Sequence, residues 1–177
     1  MAGEGDTTVG AVLFDWGNTL MRVFEGQLGA MADWPEVEVL PGVRRALRVL
    51  RPVVVLGVAT NAADSEAADI RRALRRVRLS SVLPRLYCYR SLGHRKSSPQ
   101  FWELALSDLG VPPERVVMVG DDLEADVDGA LRCGLNAVWL NPTDTAERVG
   151  PRVRTVHHMA ELPGVLREAG WLPGELH

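Results

Sequence analysis

The stretch VGAVLFDWGNTL, residues 9–20, most narrows what this chain can fold into. Val9, Ala11, Val12, Leu13 and Phe14 form a nearly unbroken apolar run without a polar alternate face, the pattern of a strand buried on both sides. Such a strand needs helices over both of its faces, which points to an α/β arrangement. The run stops at Asp15, and Gly17, Asn18 and Thr19 follow as turn-formers. Taken alone, Asp15 reads as a cap of that turn. A carboxylate ending a central strand is also where open α/β sheets place their chemistry, so the other strand ends decide between the two readings.

Downstream, residues 21–40 show no clear periodicity; Gly26, Gly29 and Pro35 interrupt them, and Phe24, Met31 and Trp34 are scattered through them. They read as a loop or short flap with one helical turn. Pro41-Gly42 opens a helix whose apolar positions Val43, Ala46, Leu47 and Leu50 fall at helical spacing. Pro52 ends it, and the VVVLGV run of 53–58 is the second strand, finishing in Ala59-Thr60-Asn61. Residues 64–78 form a helix capped by Asp64 or Ser65, with Ile70, Leu74 and Val77 buried and Arg71, Arg72, Arg75, Arg76 and Arg78 on a solvated face. A third strand at 85–89 leads into the loop SLGHRKSS. Pro99 then opens a helix to Leu109 with Phe101, Leu104 and Ala105 facing inward, and Gly110 stops it. The fourth strand, 116–119, ends in Gly120-Asp121-Asp122. A helix over 123–132, a fifth strand at 135–140, an edge strand at 153–158 and a last helix at 159–169 complete the chain. Strands alternating with helices predict a three-layer α/β/α sandwich around a mainly parallel, Rossmann-like sheet. Residues 1–8 read as a flexible tail and 9–177 as one α/β domain with a short flap at about 21–40.

Composition excludes several classes. A net charge of −3 makes no global case for nucleic-acid binding, and no apolar run approaches membrane-spanning length. The small, acidic N-terminus has the marks of neither a signal peptide nor an anchor. Cys88 and Cys133 lie far apart and read as buried free thiols, which fits a reducing, cytoplasmic compartment. Of the 20 Lys and Arg residues, Lys96 alone is lysine. A compact ammonium with three donors differs physically from a planar guanidinium fork, which singles Lys96 out.

Parallel strands present their carboxyl ends along one edge, so Asp15, Thr60, Lys96 and Asp121 with Asp122 and Asp126 are expected at one crevice. Three converging carboxylates repel unless a cation sits among them, and a hard ion such as Mg²⁺ relieves that conflict. An Asp beside Mg²⁺ and Lys⁺ is a plausible carboxylate nucleophile of the kind that forms an aspartyl-phosphate.

Asp15-Trp16-Gly17-Asn18-Thr19, the strand-end Thr60, Arg95-Lys96 and the stretch from Gly120 to Asp126 resemble the four ordered motifs of the haloacid dehalogenase superfamily, over about residues 9–140. The resemblance implies Asp15 as nucleophile and metal ligand, with the Gly17 carbonyl and Asp121 as further Mg²⁺ ligands. Thr60 and the Asn61 backbone would bind the transferring phosphoryl group, with Asn18 a further substrate contact, and Lys96 would neutralise nucleophile and phosphate. Asp126 would orient a metal water or Lys96; Asp122 would approach the metal or cap the next helix. Phosphatases of the superfamily usually carry a second Asp, a general acid and base, two places after the nucleophile. Here that place is Gly17, and the help it forgoes is worth roughly 10²–10⁴-fold. His94 is the weak substitute that the sequence offers. Neither 21–40 nor 61–95 is long enough for a cap domain, so the protein resembles capless members. An open crevice suits a bulky phosphorylated substrate, or closure by a second copy of the chain. Trp16, Phe24 and Trp34 either line its entrance or pack in the core. The expected activity is a Mg²⁺-dependent phosphatase. A catalytically impaired relative that binds a phosphorylated ligand or a partner, and a dehalogenase-type hydrolase, are the alternatives.

Overall fold

A computed structural model describes residues 8–174; the tail expected at 1–8 lies almost wholly outside them. Six parallel strands make one sheet: β1 (Ala11–Phe14), β2 (Val55–Thr60), β3 (Arg85–Cys88), β4 (Val116–Gly120), β5 (Asn136–Leu140) and β6 (Val153–Val156). Their spatial order is β3-β2-β1-β4-β5-β6. The direction of winding reverses between β1 and β4, and in open sheets that switch point is where a crevice forms. Helices α1 (Val43–Leu50), α2 (Ala67–Arg76), α3 (Tyr89–Leu92), α4 (Pro99–Leu109), α5 (Gly129–Arg132) and α6 (Leu162–Glu168) cover the sheet.

Period-2 alternation along β1 divides the core into two layers. Val12 and Phe14 pack with Val43, Leu47, Ile70, Leu74 and Leu166, from α1, α2 and α6. Ala11 and Leu13 pack with Phe101, Trp102, Ala105 and Ala130, from α4 and α5. The three-layer α/β/α sandwich is therefore present. Among the described residues, no helix is long and apolar enough to cross a membrane.

Several boundaries move for identifiable reasons. The second strand begins at Val55 rather than Val53, because the amides of Val53 and Val54 both turn back to the Leu50 carbonyl, at 3.0 and 3.1 Å. Helix α2 is capped by Glu66, not Asp64 or Ser65. Asp69 returns a bond to the Glu66 amide, closing a reciprocal capping box. On α4 the inward position expected of Leu104 belongs to Trp102, and Leu104 faces solvent. The helix expected at 123–132 is wound as a π-type turn, Leu123–Asp128, running into α5, and the last helix starts as a 3₁₀ turn, Met159–Glu161. Such π-type winding recurs at functional sites.

The 21–40 segment is pinned at both ends. Met21 bridges Val39, Arg22 pairs with Glu38 at 2.9 Å, and one helical turn forms at Met31–Asp33. Three of the arginines read as a solvated face instead act as clamps. Arg76 donates to the carbonyls of Ala32, Trp34 and Pro35 at 2.7–3.2 Å, and Arg71 to those of Leu83 and Pro84. Arg72 bridges Asp33 and Asp69.

Candidate active site

The sheet register brings the strand ends together. Phe14 pairs with Val58 on one side and Val119 on the other, so Asp15 emerges beside Ala59 and just before Asp121. Its amide donates to the Val119 carbonyl at 2.8 Å.

Lys96 crosses from the loop before α4 and is buried, with 2% of its side chain exposed. Its ammonium donates to Asp15 Oδ1 at 2.6 Å and to the Ala59 carbonyl at 3.0 Å, and forms an ion pair with Asp126 Oδ1 at 2.6 Å. Burial alone would lower its pKa, but the charges of Asp15 and Asp126 outweigh that and raise it, so Lys96 stays protonated. The backbone of Lys96 is held as firmly: its amide donates to Asn61 Oδ1 at 2.8 Å, and its carbonyl accepts from Trp102 Nε1 at 2.7 Å.

Asp126 is carried inward by the π-type turn and packs against Gly120, where an added Cβ would meet the carboxylate at 2.0 Å. Gly129 likewise leaves room for the Lys96 carbonyl, 2.5 Å from where its Cβ would stand. Asp122 takes the capping role: its exposed side chain accepts from the amides of Glu124 and Ala125, both at 2.9 Å.

Carboxylate oxygens of Asp15, Asp121 and Asp126 all lie within 4.8 Å of one another. Burial first, and the Asp15 charge second, push the Asp121 carboxyl up to about 6. Burial also raises Asp126, against the lowering pull of Lys96. Three carboxylates facing one ammonium leave two negative charges uncompensated. A dication balances that charge, and an all-oxygen donor set suits a hard one.

Thr60 is buried at the end of β2, its hydroxyl accepting from the Ala62 amide at 3.1 Å. Asp15, Thr60 and Asn61 open together onto a crevice of about 280 Å³ with Trp16, Gly17, Val23, Met31 and Trp34. Trp16 and Trp34 pack in the core and also border the crevice, so the two alternatives are not exclusive; Phe24 packs against the core and is not among the lining residues. Asn18, expected as a substrate contact, is not among the residues lining this crevice. It sits at φ 56 with its side-chain oxygen accepting from the Val23 amide, and it holds the turn after β1 instead. His94 does not line the crevice.

Thr19 is the residue that the sequence reading passed over. It is fully buried, and its hydroxyl lies 3.2 Å from Asp121 Oδ1 and 3.4 Å from Asp15 Oδ2, between the two carboxylates. A threonine after Gly-Asn reads as an ordinary turn residue, and the partner that gives it meaning is distant in sequence. Asn61 was assigned through its backbone, whereas its side chain holds the lysine loop.

A family model described as hydrolase, haloacid dehalogenase-like hydrolase, matches residues 21–134, a span that begins after Asp15 and includes Thr60, Lys96, Asp121 and Asp126. The chain is 30% identical to pyrimidine 5'-nucleotidase YjjG of Escherichia coli K12 over 128 residues, 70% of this chain and 56% of that protein. It is 49% identical to human phospholysine phosphohistidine inorganic pyrophosphate phosphatase over 45 residues, 25% of this chain and 17% of the relative. The chain thus spans about half the length of the first of these curated relatives, and a smaller share of the second. Among solved structures, an uncharacterized protein from Listeria monocytogenes serotype 4b superposes with a TM-score of 0.80 at 26% identity, over 91% of this chain and 98% of that one.

Proposed function

Because the chain belongs to the haloacid dehalogenase-like hydrolases, we propose that it hydrolyses phosphoric monoesters through an aspartyl-phosphate on Asp15. The observation that carries this reading is the buried Lys96 ammonium bridging Asp15 and Asp126 at 2.6 Å on each side, with Asp15 itself opening onto the crevice.

Lys96 holds Asp15 Oδ1, and Oδ2 takes a long contact from Thr19. In the first step an Asp15 oxygen bonds to phosphorus as the ester P–O bond breaks, and the leaving alkoxide takes a proton from water. In the second step water attacks the same phosphorus, the bond to Asp15 breaks, and phosphate and a free carboxylate result. Thr60 and the backbone at Asn61 bind the phosphoryl oxygens, and Lys96 balances charge throughout, so positioning and electrostatics do the work. Asp15, Asp121 and the Gly17 carbonyl would hold Mg²⁺, which when bound neutralises the carboxylates and the phosphoryl oxygens. Asp126 keeps Lys96 in place behind them. No separate cap is needed in this reading, because the pinned 21–40 segment borders the crevice. The two free cysteines fit a reducing cytoplasm.

A second reading, a slow or impaired relative that holds a phosphorylated ligand, is favoured by one observation. A Cβ on residue 17 would stand 2.8 Å from Val23 Cγ2, so a valine methyl fills the space where an acid would project. The valine is 44% exposed, which makes Gly17→Asp a usable probe. Phosphate release from an aryl phosphate in Mg²⁺ is the assay. Asp15→Asn or chelation should abolish it, and persistence after either would remove the mechanism. Gly17→Asp should raise turnover by roughly 10²-fold or more on esters with poor leaving groups. No gain would favour the binding role.

A further inference from the structure

The crevice that seats the ester is also selective in its charge. Its flap side is apolar, built from Trp16, Val23, Met31 and Trp34. Neither indole offers its N–H to a ligand, since Trp16 Nε1 donates to Met21 Sδ and Trp34 Nε1 to the Leu28 carbonyl, both at 3.1 Å. Among the described residues no Arg, Lys or His lines this hollow. Elsewhere the surface is rich in them: a hollow of about 460 Å³ beside α1 is ringed by Arg44, Arg48, Arg51 and Arg78. The guanidiniums around the crevice are already committed, Arg76 to three flap carbonyls, Arg72 to Asp33 and Arg90 to Glu66 at 2.6 Å. Lys96 is spent on Asp15 and Asp126. Among the described residues, the one charged group on the crevice wall apart from Asp15 is the exposed Asp64.

From this we infer that the site takes monoesters of uncharged or cationic, largely apolar leaving groups, and rejects those whose leaving group bears a second phosphate or a carboxylate. The inference rests on the hydrolase reading above and deepens it. A second anion in this crevice would lose water without gaining a cationic partner, and would face Asp64. An ester whose one anionic group is its phosphoryl instead places that group at Asp15, Thr60 and the dication, and its body against the tryptophan and methionine surface.

Two non-hydrolysable probes test this on the full chain with Mg²⁺: phenylphosphonate and 4-carboxyphenylphosphonate, titrated calorimetrically. The carboxylated probe should bind at least about tenfold more weakly, because a like charge close by disfavours it. Asp64→Arg, at an exposed position, should narrow or invert that ratio. Equal affinities, a preference for the carboxylated probe, no measurable binding of either, or an unchanged ratio in Asp64→Arg would each overturn the assignment. The expected preference without phosphate release from the matching aryl phosphates would support the selectivity and count against the hydrolase reading alone.

Discussion

At the scale of single residues, the site depends on one ammonium of the right shape. The buried Lys96 ammonium donates to Asp15 and the Ala59 carbonyl and pairs with Asp126, all at 2.6–3.0 Å. A guanidinium is planar and cannot reproduce that tripod, so Lys96→Arg is not conservative here. Lys96→Met leaves the buried Asp126 and the partly buried Asp15 without a counter-charge. It should cost about 3–5 kcal/mol in urea unfolding of the cation-free protein. A smaller loss is expected with Mg²⁺ present, and equal losses in the two conditions would show that no cation shares the site. Thr19→Val keeps volume and removes the one hydroxyl between Asp15 and Asp121. It should cost about 0.5–1.5 kcal/mol and weaken Mg²⁺ binding, read by titration calorimetry. Asp15 and Asp121 were legible because each closes an apolar run, Lys96 because it breaks an otherwise uniform use of arginine, and Asp126 through its place in the acidic stretch from Gly120 to Asp126. Thr19 and Trp102 were illegible because what they do depends on partners reached only through the fold.

Among the elements, the strands were legible to within about two residues, since short β-rich runs bounded by Pro and Gly have few other fates. The start of β2 lies at the limit of that margin, at Val55 rather than Val53, because Val53 and Val54 have the composition of a strand while their amides complete the turn after α1. The arginines of α2 misled for a related reason. A positive residue at helical spacing looks solvated until the carbonyls it will meet are known, and those belong to the flap. Arg76→Ala should therefore free the segment around Met31–Asp33 by about 1.5–3 kcal/mol, the worth of hydrogen bonds to a charged group. Hydrogen exchange at the amides of Asp33 and Trp34 measures it directly; unchanged protection there would mean that the segment holds without its clamp.

For the molecule as a whole, the uncompensated carboxylates couple stability to pH and to cation. With Asp121 raised to about 6 in the folded state, the folded protein binds protons more tightly than the unfolded chain. In the absence of a cation, stability is then fully present below the ordinary carboxylate range and falls as pH rises through about 6. A dication should restore it. Mg²⁺ at about 100 times its Kd adds about 2.7 kcal/mol, roughly 5–10 °C in Tm for a chain of this size. That increment should be present near pH 7.5 and fade toward pH 5, where protons compete with the ion for the carboxylates. A Tm increment independent of pH would mean that Mg²⁺ acts elsewhere.

The strand made first in the chain lies in the middle of the sheet, between a partner from its first half and one from its second. Asp15 accordingly waits for Lys96, 81 positions on, and for Asp126 beyond it. Contacts this distant in sequence form slowly, because much of the chain must be confined before any of them repays that confinement. A nascent or truncated polypeptide ending before Asp126 would carry the nucleophile yet lack the groups that tame its charge. Catalytic competence is thus a property of the finished topology, and in refolding its return should mark the docking of β4 rather than the first collapse of the chain.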